Sequence, residues 1–97
     1  MIALDTNLLV YAHREDSPHH VAAAAALQSA ITAPGGCAIP WPCLHEFLAV
    51  VTHPRIYDPP TPVGTAVAAV RALVDAPSVH LVGEGVSHLD RLAELLA

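Results

Sequence analysis

The sequence predicts an α/β fold with a parallel sheet. Short apolar runs alternate with longer helical patterns, as in successive βαβ units. Paired start signals, Ser17-Pro18 and Thr61-Pro62, place a cap residue before an N1 proline. The first run, Ile2-Ala3-Leu4, breaks off abruptly in Asp5-Thr6-Asn7. In an open α/β sheet the carboxyl ends of the strands are where ligands sit.

Ile2 to Leu4 reads as a strand buried on both faces, followed by a helix over about Leu8 to His13. Ser17-Pro18 opens an alanine-rich helix to about Ile31, stopped by Pro34-Gly35-Gly36. Cys37-Ala38-Ile39 is the second strand. Pro40-Trp41-Pro42 opens a helix whose Leu44, Phe47, Leu48 and Val51 form an apolar stripe, ended by Thr52-His53-Pro54. Arg55 to Pro60 is a proline-stiffened loop. Thr61-Pro62 opens a helix with Val63, Ala66, Val67, Val70, Leu73 and Val74 facing the core, stopped by Asp75-Ala76-Pro77. Val79 to Val82 is the third strand and Gly83-Glu84-Gly85 a turn. Ser87 to Asp90 matches a capping box before a last helix with Leu89, Leu92, Leu95 and Leu96.

The 97 residues make a single domain, residues 1–97. Apolar types reach 54% and charged residues 13%, against roughly 25% in an ordinary soluble domain. Such a surface implies an apolar face that meets a partner, or a domain of which part is missing. The sequence also stops at Ala97 without a C-cap glycine, a basic last turn or a polar tail. The expectation is a C-terminally truncated domain lacking its C-terminal strands. No stretch reads as a signal peptide or a spanning helix, so the expected compartment is the cytoplasm, with Cys37 and Cys43 reduced. The net charge is −5, and the only fixed cations are Arg14, Arg55, Arg71 and Arg91. A basic patch of the kind nucleic-acid binders carry is absent, a deficit that an acidic cluster holding a divalent metal would partly offset.

Two carboxylates draw attention. Asp5, with Thr6 and Asn7, either caps the next helix or holds a ligand, and both readings stand. Glu46 lies away from the Leu44/Phe47/Leu48/Val51 stripe. Its bland account is a negative charge in the first helical turn, favoured by the macrodipole. Its functional account is convergence with Asp5, because right-handed crossovers bring the helix after strand two to the same edge as the end of strand one. Two carboxylates can begin a magnesium or manganese site, with waters and substrate phosphates completing it.

The run from Met1 to His13, MIALDTNLLVYAH, resembles the opening of a PIN domain. PWPCLHEFL from Pro40 and THPRIYDPPTP from Thr52 resemble a subgroup of bacterial VapC-type toxins. The resemblance implies an α/β/α sandwich around a parallel sheet. It implies a metal-dependent endoribonuclease, the toxin of a VapBC-type toxin–antitoxin pair, with RNA as substrate, magnesium or manganese as cofactor, a cognate antitoxin that wraps the helices and plugs the cleft, and a homodimer. Asp5 matches the family's first metal-binding acid and Glu46 its second, with Asn7, beside Thr6, helping to order the site. The third and fourth acids of the family follow the helix at which this sequence stops, and Asp90 and Glu94 do not replace them.

Other constellations carry less. Cys37, Cys43, His45 and His53 fit no closed zinc spacing, and His45 and His53 are expected on different helix faces. His13, His19 and His20 read as solvated surface. Ser17 and Ser87 read as caps, Gly83 and Gly85 do not make a phosphate loop, and Trp41 reads as packing. Two further hypotheses stand beside the ribonuclease. One is a catalytically incomplete remnant that binds an antitoxin or dimerises. The other makes Asp5 a phosphoryl-accepting nucleophile, as in haloacid-dehalogenase-like phosphatases, which the absence of any lysine weighs against.

Overall fold

The structure, a computed structural model, describes residues 1–83. The turn expected beyond Gly83, the Ser87–Asp90 capping box and the last helix lie outside the described residues. The elements run β1 (Ile2–Ala3), α1 (Thr6–His13), α2 (His20–Thr32), β2 (Cys37–Pro40), α3 (Trp41–Val51), α4 (Val63–Asp75) and β3 (Val79–Val82). The strands form a parallel sheet in the order β1-β2-β3. This is the expected α/β architecture.

Both crossovers, β1 to β2 and β2 to β3, advance in the same sense across the sheet. With the usual right-handed connection they lay α1 to α4 on one face. The register agrees with this. Ile2 and Val79 both partner Cys37, and Ile39 partners Leu81. Leu4, Cys37, Ile39 and Val79 are buried beneath the helices, whereas His80, one residue out of phase, is exposed. Under the sheet's helical face lie Leu9, Val10, Leu44, Phe47, Val51 and Ala66, the core of the domain.

Four local expectations need correction. The first strand is not buried on both faces. Ile2 is 56% exposed, because among the described residues β1 pairs only with β2. Leu4, by contrast, is buried and donates its N–H to the Ala38 carbonyl at 2.9 Å. Second, α2 starts at His20 and not after Ser17-Pro18. The Ser17 hydroxyl accepts from the His19 N–H at 3.1 Å and so organises the preceding turn. Third, Thr61 does not cap α4, since its side chain is engaged elsewhere, as described below. Fourth, the α4 stripe is only partly buried. Ala66 is enclosed and Val70, Leu73 and Val74 pack against the core, but Val63 and Val67 face solvent. Val67 lies about 100° round the helix from Ala66, off the contact face.

The link from α2 into β2 depends on glycine. Gly35 and Gly36 have φ of +82° and +72°. A Cβ on Gly36 would lie 2.0 Å from the Ser78 carbonyl oxygen. That oxygen accepts the Cys37 N–H at 3.0 Å, so the close approach is also what brings the segment before β3 onto β2.

Candidate active site

Asp5 stands immediately beyond β1 with extended backbone angles, and its Oδ1 accepts the Leu8 N–H at 2.9 Å. It therefore caps α1, which begins at Thr6, two residues before the expected start. Capping uses one oxygen. Oδ2 makes no hydrogen bond to any described residue, and the side chain is exposed at the carboxyl edge of the sheet.

Glu46 does not sit in the first turn of its helix. Pro40 ends β2 and Trp41 begins α3, so Glu46 is the sixth helical residue, past the reach of the macrodipole. It is exposed, and what holds it is Thr6. The buried Thr6 hydroxyl donates to Glu46 Oε2 at 3.3 Å. Thr6 is thus the chain neighbour of one carboxylate and the hydrogen-bond donor to the other, and the expected convergence of β1's end with α3 is present. Asn7 is exposed next to them and makes no hydrogen bond to a described residue.

Neither carboxylate is neutralised. Among the described residues the one ion pair is Arg14–Asp16. Asp5 and Glu46 each retain an oxygen with no described partner. This pair of hard, unpaired oxygen donors fits a magnesium-type ion, which takes one or two carboxylates and keeps its remaining positions for water and phosphate. Among the described residues no group of three or more His, Cys, Asp or Glu side chains gathers as a metal cage.

The other end of α1 carries a second polar cluster that sequence reasoning missed. Arg14 makes a bidentate pair with Asp16 at 2.9 and 2.6 Å, donates to the Pro59 carbonyl at 2.9 Å and to the Thr61 hydroxyl at 3.2 Å, and lies 4.3 Å over the Tyr57 ring. His13, read as solvated surface, is half-buried. Its ring meets Phe47 edge-on at 5.3 Å, and Nε2 is 3.2 Å from Thr61 Oγ1. Burial, aided by the adjacent Arg14 guanidinium, pushes the His13 pKa below its ordinary value. A neutral His13 lets Thr61 accept from Arg14 while its own proton goes to Nε2. The hydrogen bond from Arg14 holds the Asp16 carboxyl below its usual range. The available signal was the Arg14-x-Asp16 spacing before a loop dense in proline.

Of the other two histidines read as solvated surface, His19 is exposed as expected and His20 is half-buried. His20 Nδ1 is 3.0 Å from the Tyr11 carbonyl, and the His19 ring lies 5.0 Å from that of Tyr11. His53 is beyond the end of α3, where its Nδ1 accepts the Arg55 N–H at 3.1 Å. Cys37 and Cys43 are both free, and burial raises the Cys37 thiol pKa.

A PIN domain model matches residues 2–97 of the sequence. The chain belongs to the PIN domain family. Within that family it is similar to proteins named VapC. Ribonuclease VapC33 of Mycobacterium tuberculosis (strain CDC 1551 / Oshkosh) is 35% identical over 96 residues, covering 99% of this chain and 67% of that protein. VapC ribonuclease Mb2897 of Mycobacterium bovis is 34% identical over 88 residues, 91% of this chain and 60% of its own length. Ribonuclease VapC37 of M. tuberculosis (strain H37Rv) is 31% identical over 96 residues, again 99% and 67%. This PIN chain therefore spans about two thirds of the length of these relatives. Asp5, Thr6 and Glu46 all lie within the matched region.

Proposed function

We propose that this PIN chain is a metal-dependent endoribonuclease, the toxin of a VapBC-type toxin–antitoxin pair, and that Asp5 and Glu46 hold magnesium or manganese. The observation that carries the reading is the Thr6 bridge. A buried hydroxyl fixes Glu46 beside the residue after Asp5, at the edge of the sheet where α/β folds bind ligands. The family match and the names of the relatives supply the reaction class.

A divalent ion bound there supplies a Lewis acid for a phosphodiester oxygen and a water of lowered pKa. The chain's own residues do the rest. Asp5 is oriented by its bond to Leu8 N–H, Glu46 by Thr6, and the rigid N-terminus of α1 keeps the two in register. RNA is the substrate and the compartment is the cytoplasm. Among the described residues, no helix is long and apolar enough to cross a membrane. A cognate antitoxin is the expected protein partner. An apolar crevice of about 320 Å³ among the helices, lined by Leu9, Leu27, Ile31, Phe47 and Leu73, and the bare Val63 and Val67 on α4 support such an association. Dimerisation belongs to the same proposal.

The test is cleavage of single-stranded RNA in magnesium, in manganese and in EDTA, by the parent chain and by Glu46→Gln. Metal-dependent cleavage lost in the variant is the expected result. Cleavage that survives both EDTA and Glu46→Gln overturns the proposal.

A further inference from the structure

Trp41 is the sole tryptophan of the chain and the first residue of α3, at the carboxyl end of the central strand. Asp5 lies beyond the neighbouring strand on one side and Gly83 follows the strand on the other. The indole is half-buried, and part of it packs against the core. Its Cδ1 edge rests on Gly83, where a Cβ would come within 2.7 Å. Trp41, Pro42, His45 and Gly83 line a cavity of about 270 Å³. Within it the imidazole of the exposed His45 is 6.0 Å from the indole, with the planes 40° apart. His45 immediately precedes Glu46 on α3. Trp41 also walls a second cavity, of about 220 Å³, to which α4 contributes Arg71.

We infer that this cavity binds a base of single-stranded RNA, stacked on Trp41 and met at its polar edge by His45, and so positions the strand against the Asp5–Glu46 site. The identity of the ligand rests on the ribonuclease reading. The chain's shortage of cations points the same way. Arg14 is committed to Asp16, so among the described residues Arg55 and Arg71 are the cations not engaged in an ion pair. Counterion release cannot supply much affinity with so few contacts, whereas stacking on an aromatic face is independent of charge and open to every base. A flat aromatic next to a small polar rim, one residue from a carboxylate that would meet phosphate, suits an unpaired nucleotide. Duplex RNA keeps its bases stacked on one another and presents none to the indole.

The sole tryptophan makes the site its own reporter. In the full chain carrying Asp5→Asn, with magnesium present, single-stranded oligonucleotide is expected to quench Trp41 emission saturably, while duplex RNA of the same sequence does not. Followed by anisotropy of labelled RNA, Trp41→Ala and His45→Ala should each weaken binding on the order of tenfold, and Trp41→Phe should remain within about threefold of the parent. Trp41→Phe and the surface variant His45→Ala keep the test open if Trp41→Ala fails to fold. Saturable anisotropy with no change in Trp41 emission overturns the inference, as does equal quenching by duplex. Cleavage by the parent without quenching refutes the base site and leaves the ribonuclease standing. Quenching in a parent chain that cleaves nothing does the reverse.

Discussion

Asp5 has two roles in this structure, and a pair of substitutions separates them. Its Oδ1 accepts the Leu8 N–H, and on the proposed site its charge, next in the chain to the Thr6 that holds Glu46, would serve a metal ion. Asp5→Ala removes both the acceptor and the charge. Loss of an N-cap costs about 1 kcal/mol, within a range of about 0.5–2. For a domain of this size that lowers the melting temperature by about 4–8 °C. Asp5→Asn keeps an acceptor in the same place, and Asn caps as well as Asp. It loses an attraction to the α1 N-terminus of about 0.3–1 kcal/mol but keeps the cap, so the melting temperature should fall less than in Asp5→Ala. Activity should follow a different order. If Asp5 holds the proposed ion, both variants lose that charge and with it several kcal/mol of transition-state stabilisation, so cleavage should fall by at least about a hundredfold in each. A third reading is metal linkage. Magnesium at about a hundred times its Kd should stabilise the parent by about 2.7 kcal/mol and leave Asp5→Asn unmoved. If Asp5→Asn cleaves RNA at the parent's rate and gains the same stability from magnesium, Asp5 is only a cap and the reasoning is wrong.

Thr6→Val should keep the fold but release Glu46, lowering magnesium affinity or cleavage by about 10–100-fold, and an unchanged metal titration would rule out the bridge as a positioning element. The folded state takes up a proton at His13 less readily than the unfolded chain does, so His13 costs no stability above about pH 6.5 and an increasing amount as pH falls below that, through its lowered pKa. Urea unfolding between pH 7.5 and 5 should show this slope in the parent and a shallower one in His13→Gln; the Arg14–Asp16 pair acts only near and below about pH 4 and does not interfere. Gly36→Ala places a Cβ against the Ser78 carbonyl and should abolish stable folding, whereas Gly64→Ala meets nothing within 4 Å in α4 and should stabilise by about 0.5 kcal/mol; equal thermal shifts would refute the distinction. Thr61→Val leaves His13 and Arg14 short of a buried partner and should cost about 1–3 kcal/mol by denaturant titration, with a value near zero arguing against the cluster.

The elements of the fold were legible where one periodicity or one stop signal dominated. Leu44, Phe47 and Val51 are buried at the spacing that identified α3, and Val79–Val82 is the strand the sequence indicated. Legibility failed where the outcome depended on distant partners. Thr61-Pro62 has the local form of a cap, but the hydroxyl is drawn to Arg14 and His13 across 47 and 48 residues of sequence. Val63 and Val67 carry the right period, yet α3 covers only the Ala66 side of α4. Asp5 and Glu46 were identifiable as candidates from type and position. Their connection through Thr6 was not, because a hydrogen bond spanning 40 residues leaves no local pattern.

The two polar clusters bear on one another through α1 and α3. At one end of α1, Thr6 is bonded to Glu46 on α3. At the other end, His13 and Arg14 are bonded to Thr61, whose N–H donates to the carbonyl of Val51, the last residue of α3, at 2.7 Å. His13 also rests edge-on against Phe47, midway along α3. α1 is therefore tied at both of its ends to α3, at the middle and at the last residue of that helix, with Leu9, Leu44 and Phe47 in the same core. A single tie would allow one helix to pivot on the other. Two ties and a close-packed interior leave little freedom, since packed interiors transmit displacement and do not absorb it. The separation of Asp5 from Glu46 is set by that frame as much as by Thr6. A displacement near 1 Å in positioned catalytic groups can cost about a hundredfold in rate. The charge network around Arg14, remote from the carboxylates, is on this argument part of what holds them in place.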